Sequence, residues 1–249
     1  MTMGWDSDFS YSYFKKMLRV AKDRFELHTL SEAPKIIGKN GKPKLILRHD
    51  VDVSLKRALE MAKIEKDFAI RATYMVMANS RLYRLREKDS CVMLQEIINM
   101  GHEIAVHFSP PRKRTVTLET KIDSACKKVE KIIRLQVLSV SFHRPPQDYL
   151  FGKLMIGTRV NAYSKELMEW YRSDSKGRWI CGEPLPQLST LKIPLLQLLI
   201  HPIWWGEKHA SKEERLRAFV AEENRGKPLE DAEALRKKII VAIRVKFDL

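Results

Sequence analysis

Two rhythms of apolar and polar positions alternate along the chain. Short apolar runs that end in polar residues are separated by stretches with helical spacing. Lys44-Leu45-Ile46-Leu47-Arg48-His49-Asp50 follows the turn-forming Gly41-Lys42-Pro43 and predicts a buried strand. Ser54 then precedes Leu55, Ala58, Leu59, Ala62 and Ile64, the pattern of a capped helix with one apolar face. Residues 72–77 predict the next strand, and Cys91, Leu94, Ile97 and Ile98 form a helical stripe that stops at Gly101. Residues 103–107 predict a strand, 115–134 a long amphipathic helix, and 137–142 and 195–200 two further strands. Two charged amphipathic helices, 208–223 and 229–245, flank Asn224-Arg225-Gly226-Lys227-Pro228 and are expected to pack on the outside. Strands alternating with helices of this length predict a parallel sheet, which right-handed crossovers wind into a barrel or an open sheet. No repeat and no Gly/Ser linker divides the chain, so residues 1–249 are expected to form one domain.

Composition narrows this picture. Hydrophobic residues make up 44% and charged residues 31% of the 249, which excludes collagen-like, low-complexity and membrane-spanning classes. The most apolar stretch, 193–205, is broken by Gln197 and His201, and it falls short of the ~20 apolar residues that a membrane-spanning helix needs. Cys91, Cys126 and Cys181 are widely spaced and form no Cys-x-x-Cys pair, so neither a disulfide framework nor a cysteine zinc site is expected. Met1 to Asp8 has no basic segment leading into an apolar core. The expected location is therefore cytoplasmic, or peripheral to an anionic membrane.

Charge adds a partner class. Lys and Arg number 46 against 31 Asp and Glu, a formal net charge of +15. The excess gathers at 15–24 and 112–134. Solvated helix faces account for such runs, and attraction to a membrane surface, an acidic glycan or nucleotide-sugar phosphates is the sharper alternative. No helix-turn-helix, zinc-finger or aromatic RNA-binding pattern is present, so nucleic acid is not an expected partner.

The candidate chemistry sits where apolar strands end in polar residues, because parallel α/β sheets build their sites at the C-terminal ends of strands. The first strand ends His49-Asp50-Val51-Asp52. Alternation puts Asp50 and Asp52 on one face, about 6.6 Å apart along the strand at ~3.3 Å per residue. Two carboxylates that close either share a metal or divide into base and ligand. The next polar strand ends are His107, followed by Phe108-Ser109-Pro110-Pro111, and His143-Arg144-Pro145-Pro146. The Arg144 guanidinium suits bidentate capture of a carboxylate, either Asp50 or one on the substrate. Tyr171-Arg172-Ser173-Asp174 and Leu199-Ile200-His201-Pro202 each add one titratable group.

In this order the residues resemble the NodB-like polysaccharide deacetylases of carbohydrate esterase family four. The resemblance spans residues 44–205 and rests on five motifs. Asp50-Val51-Asp52 matches the first, Gly101-His102-Glu103-Ile104-Ala105-Val106-His107 the second and Arg144-Pro145-Pro146 the third. Asp174 with Trp179, and Leu198 with His201, match the last two loosely. His49-Asp50-Val51-Asp52, Phe142-His143-Arg144-Pro145-Pro146 and the His-Pro ending look most like the branch found with bacterial surface-polysaccharide assembly. The family's second histidine ligand, four residues after the first, is replaced here by Pro111.

The resemblance implies a distorted (β/α) barrel with a parallel core, and a hydrolase that removes acetyl groups from N-acetylated sugars or glycan precursors. It implies a divalent ion of the Zn²⁺ class held by Asp52 and His107, with His143 as the expected third ligand and His49 as the second choice. It further implies Asp50 as general base positioned by Arg144, and His201 paired with Asp174 as general acid. Trp204 and Trp205 would form a wall against the sugar, and His49 a substrate contact. Two other readings remain at this stage. Asp50-Val51-Asp52 is also the D-x-D of metal-dependent glycosyltransferases, and the same barrel can serve without a metal or without catalysis in polysaccharide assembly.

Overall fold

The computed structural model describes residues 8–110, 117–225 and 229–247. Its strands are β1 (Glu26–His28), β2 (Lys44–Val51), β3 (Thr73–Val76), β4 (Glu103–Phe108), β5 (Ser139–Phe142), β6 (Met155–Ile156), β7 (Arg159–Asn161), β8 (Tyr171–Ser173) and β9 (Leu195–Ile200). Its helices are α1 (Tyr11–Arg24), α2 (Ala33–Ile36), α3 (Leu55–Asp67), α4 (Lys88–Asn99), α5 (Leu118–Ile133), α6 (Lys165–Met168), α7 (Pro184–Thr190), α8 (Lys212–Asn224) and α9 (Leu229–Phe247).

The strands form one sheet in the order β6-β7-β5-β4-β3-β2-β9-β8, with β1 also paired to β2. Every pairing is parallel except β6 with β7. Residues 44–46 of β2 pair with β1 and residues 48–51 with β3, so those two strands share one edge of β2 while β9 takes the other. The expected α/β architecture with a parallel core is what the chain adopts. The barrel is curled but open: among the described residues the end strands β6 and β8 do not pair with each other.

Local chemistry sets the element boundaries. The Ser54 hydroxyl accepts the Arg57 amide at 3.3 Å and starts α3 at the predicted residue. Thr117 caps α5 in the same way, so that helix begins at Leu118, residues 115 and 116 of the expected helix lying outside the described residues; it ends where Arg134 turns left-handed, at φ 57°. The predicted 208–223 helix begins later, at Lys212, because Ser211 and Glu214 form a reciprocal capping box. Helix α1 buries Tyr11, Tyr13, Phe14, Met17, Leu18 and Ala21 and turns Lys15, Lys16, Arg19 and Lys22 outward. That basic run is therefore a solvated face, with Lys22 also donating to the Phe68 carbonyl at the end of α3 (2.8 Å). The basic run on α5 likewise faces outward, where Lys127 pairs with Asp123 at 2.8 Å. Its residues 112–114, and Pro111, lie outside the described residues. Among the described residues no helix is long and apolar enough to cross a membrane.

Alternation along β2 divides its side chains between the two sides of the sheet. Toward the helices, His49 stacks on its cross-strand partner Tyr74 (ring centroids 4.5 Å apart) and meets Phe14 of α1 edge-on at 6.3 Å. The His49 Nε2–H donates to Glu65 of α3 at 2.6 Å, and the Tyr74 hydroxyl donates to the same carboxylate at 2.7 Å. Glu65, His49 and Tyr74 are all fully buried. Glu65→Leu removes the acceptor of two buried donors, so the protein should lose about 2–4 kcal/mol of stability in urea unfolding with the m-value unchanged.

Candidate active site

On the inner side of the sheet, Arg48 and Asp50 form a buried fork. The Arg48 Nε–H donates to Asp50 Oδ1 at 2.9 Å and Nη2–H to Oδ2 at 2.7 Å. The same guanidinium donates to Gln197 of β9 (3.4 Å) and to the Tyr163 hydroxyl (3.3 Å), and it lies 4.8 Å from the Tyr163 ring centroid. Gln197 in turn donates to the carbonyls of Ala162 and Leu167, at 2.9 and 3.1 Å. Burial would push the Asp50 carboxyl up. Arg48, and after it His107, outweigh burial and hold Asp50 below the ordinary carboxylate range.

Asp52, one step further along, meets two histidines. Its Oδ1 lies 3.2 Å from His107 Nε2 and its Oδ2 lies 3.9 Å from His201 Nε2. The other ring nitrogen of His107 is 2.7 Å from Ser141 Oγ, so this hydroxyl orients the ring and leaves Nε2 directed at Asp52. His143, just past β5, completes a cluster in which one donor atom each from Asp52, His107 and His143 lies within 4.8 Å of the others. Two imidazoles and a carboxylate are the donor set of a catalytic zinc site, in which three protein ligands leave a position for water. The residues present therefore fit a divalent ion.

Across the cavity, His201 is held by Asp174. The Asp174 carboxylate accepts His201 Nδ1–H at 2.6 Å, the His201 amide at 2.9 Å and the indole N–H of Trp205 at 2.9 Å. Burial opposes a charge on His201, yet Asp174, then Asp52 and Asp50, raise its pKa above the ordinary 6.5. Tyr83 ties the loop that carries Asp52 to the neighbouring strand: its hydroxyl donates to the Val51 carbonyl (2.6 Å) and accepts the Met77 amide (2.8 Å).

Asp50, Asp52, His107, His143, Arg144 and His201 line one cavity of about 180 Å³, together with Tyr163, Ser175, Lys176 and Leu199. Asp174 stands behind His201. Two expectations need correction. His49 is fully buried on the opposite side of the sheet against Glu65, because strand alternation turns it away from Asp50; it is neither a substrate contact nor near the metal donors. Trp204 and Trp205 are 1% and 0% exposed and form no sugar wall. Trp205 packs against Phe9, Tyr13, Phe14 and Trp179, and its role at the site is to orient Asp174. Arg48, which the sequence reading passed over, holds both Asp50 oxygens from within the same strand. Arg48 was legible as a charge inside an apolar strand two residues from Asp50, which is one pleat repeat. Ser141 and Tyr163 carried no such signal.

No protein-family model matches the chain, and no curated protein matches it. Some solved structures do. The deacetylase PplD of Streptococcus pyogenes, in complex with acetate, aligns over 55% of this chain and 64% of its own, with 16% identity and a TM-score of 0.44. A polysaccharide deacetylase from Bacillus cereus aligns over 84% and 60%, with 14% identity and a TM-score of 0.44. A carbohydrate esterase family 4 pseudoenzyme from Bacillus anthracis aligns over 73% and 61%, with 17% identity and a TM-score of 0.40. The chain thus spans less than two thirds of the length of each of these three proteins. The likenesses are faint, and the chemistry of the site rests on its own atoms.

Arg48→Met should leave Asp50 a buried, unpaired carboxylate and cost about 3–5 kcal/mol at neutral pH. In the parent protein Asp50 contributes stability above its ordinary pKa of 3.8, which is lost as pH falls through the lower folded value. In the variant the sign inverts, because a carboxyl whose folded pKa is raised favours folding at low pH. Urea unfolding at pH 5 and pH 8 should show the variant's deficit shrinking at pH 5, and adding Asp50→Asn should recover part of it at pH 8.

Proposed function

We propose that the protein is a metal-dependent hydrolase that removes the acetyl group from an N-acetylated sugar. The observation that carries this reading is the placement of the Asp52–His107–His143 donor set between an Arg48-held Asp50 and an Asp174-held His201. Asp52, His107 and His143 would hold a divalent ion of the Zn²⁺ class, which would supply a water of lowered pKa and polarisation of an amide carbonyl. The chain's own groups do the rest. Asp50, ionised and fixed by Arg48, takes a proton from the attacking water as its oxygen bonds to the amide carbon. Nε2 of His201 faces the cavity, since Asp174 occupies Nδ1. From Nε2 a proton passes to the sugar nitrogen as the carbon–nitrogen bond breaks, leaving acetate and an amine. Opposed shifts put the two groups in working form together: Asp50 is pulled below its ordinary pKa and His201 is raised above its own.

The D-x-D reading is disfavoured by the same geometry. It asks Asp50 and Asp52 to share one ion, while both oxygens of Asp50 are bonded to Arg48. His143 takes the ligand place that Pro111 cannot fill. The form of the motifs around His49–Asp52 and Phe142–Pro146 supports a substrate drawn from surface-polysaccharide synthesis.

Elemental analysis of the purified protein, followed by acetate release from N-acetylated sugars with and without added Zn²⁺ or Co²⁺, tests the reading. Asp50→Asn should lower kcat by at least about a thousandfold. His143→Ala should reduce metal occupancy and activity together, with excess metal restoring part of the activity. Because the working form of His201 is the protonated one, kcat/KM should fall as pH rises through its raised pKa, and His201→Gln should flatten that fall. A protein that binds no divalent ion at micromolar concentration would sink the metal-dependent mechanism.

A further inference from the structure

Beside the cavity that holds Asp52 lies a second one of about 370 Å³, inside the ~300–1,000 Å³ range of ligand pockets. Tyr83 joins the two. It lines the second cavity, and its hydroxyl donates to the carbonyl of Val51, the residue between Asp50 and Asp52. One wall is the loop that follows β3 and carries Arg84 and Arg86; the other is α5, which carries Lys128 and Ile132. That loop leaves the C-terminal end of β3, so it stands at the same end of the sheet as Asp52, His107 and His143. The first cavity, at about 180 Å³, is smaller than a whole ligand pocket. It takes the acetamido group, and the remainder of a substrate extends along the mouth.

The charge of the second cavity is one-sided. Arg84, Arg86 and Lys128 line it, and no Asp or Glu does. Glu87 reaches Arg84 only at 4.0 Å, between side chains 62% and 84% exposed, where water screens the attraction. Lys128 Nζ donates to Asn79 Oδ1 at 3.3 Å, a neutral partner that holds the ammonium against the loop without cancelling its charge. The loop is fixed from within. Ser80 Oγ accepts the Leu82 and Tyr83 amides at 3.1 and 3.3 Å, and the Arg84 carbonyl accepts the Glu87 amide at 3.1 Å. The three cations are thereby gathered before any ligand arrives, which lowers the cost of binding one. The rest of the lining is largely apolar, from Ala78, Leu85, Ile132 and the Tyr83 ring.

We propose that this second cavity binds a diphosphate ester on the substrate, so that the sugar deacetylated here is joined to a carrier through that group. This rests on the reading of the first cavity as a deacetylase site and names its substrate class. Three cations without a carboxylate match the roughly two or three negative charges of a diphosphate ester, whereas a lone carboxylate would leave most of that charge uncompensated. The guanidinium forks of Arg84 and Arg86 suit phosphate oxygens bidentately, and Lys128 adds a point charge from the facing wall. The apolar lining receives what the diphosphate carries, a nucleoside or a prenyl chain. Arg84, Arg86 and Lys128 hold the carrier and take no part in the bond cleavage.

Calorimetric titration of the purified protein uses three probes that hold no acetyl group: inorganic pyrophosphate, UDP and geranyl diphosphate. All three should bind. A tighter UDP identifies a nucleotide carrier, a tighter geranyl diphosphate a lipid one, and equal affinities assign the recognition to the diphosphate alone. Arg86→Gln with Lys128→Gln, both exposed side chains, should weaken every probe by about tenfold or more and leave urea unfolding unchanged. An oxyanion can also coordinate a metal, so His143→Ala reports where the probes sit, and their binding should survive it. No binding at millimolar probe, binding unchanged by the double substitution, or binding abolished by His143→Ala overturns the proposal. Acetate release from UDP-N-acetylglucosamine and from free N-acetylglucosamine reads the reaction separately. If neither is hydrolysed while the probes bind and the double substitution weakens them, the deacetylase reading fails and the diphosphate site stands. If the free sugar is hydrolysed and no probe binds, the diphosphate site fails and the reaction stands.

Discussion

The pairing of Arg48 with Asp50 inside the curled sheet is the constraint on which the rest of the site depends. Both groups are buried, and taking two such ions out of water costs several kcal/mol each. Attraction offsets this only if the remaining donors also find partners. Here they do: the guanidinium reaches both carboxylate oxygens, Gln197 and Tyr163, and Gln197 passes the constraint on to the Ala162 and Leu167 carbonyls. One side chain thereby draws β2, β9 and the chain beyond β7 around a common polar centre. In the proposed reaction the return on that desolvation is functional. A carboxylate held ionised and immobile beside the Asp52–His107–His143 set is ready to accept a proton without rearrangement.

The two faces of β2 illustrate how the pleat separates tasks. Asp50 looks inward to the cavity, and its neighbour His49 looks outward to Glu65 and Tyr74. Both are buried titratable residues, yet one lines the cavity and the other packs α3 on the sheet. The same division recurs at the end of β9. His201 faces the cavity while Trp205 packs into the aromatic group around Phe9 and Phe14, and both meet on the Asp174 carboxylate. His201 is thus anchored to the core through an indole.

Much of this was legible in the sequence because apolar strands with polar ends are a local signal. β2, β4, β5 and β9 and the helices between them follow from spacing and caps, and the strand ends named Asp50, Asp52, His107, His143, Arg144 and His201 as neighbours. Errors arose where a role depends on direction or on distant partners. His49 was misread because its ring points to the other side of the sheet, and the tryptophans because an apolar pair near a site can pack inward as readily as toward a ligand. The grip of Arg48 on Asp50 depends likewise on which way a side chain inside an apolar strand points. The short β1, β6, β7 and β8 left no mark, since two or three residues are too few to show a period.

The open sheet ends on one side in β6, two residues long and antiparallel to its neighbour, and on the other in β8, three residues long. An incomplete barrel of long strands would present two extended rows of unsatisfied amides, which invite pairing with another chain. Rows this brief cannot template a strand of any length. The sheet can therefore stay open at both ends without becoming a seed for aggregation.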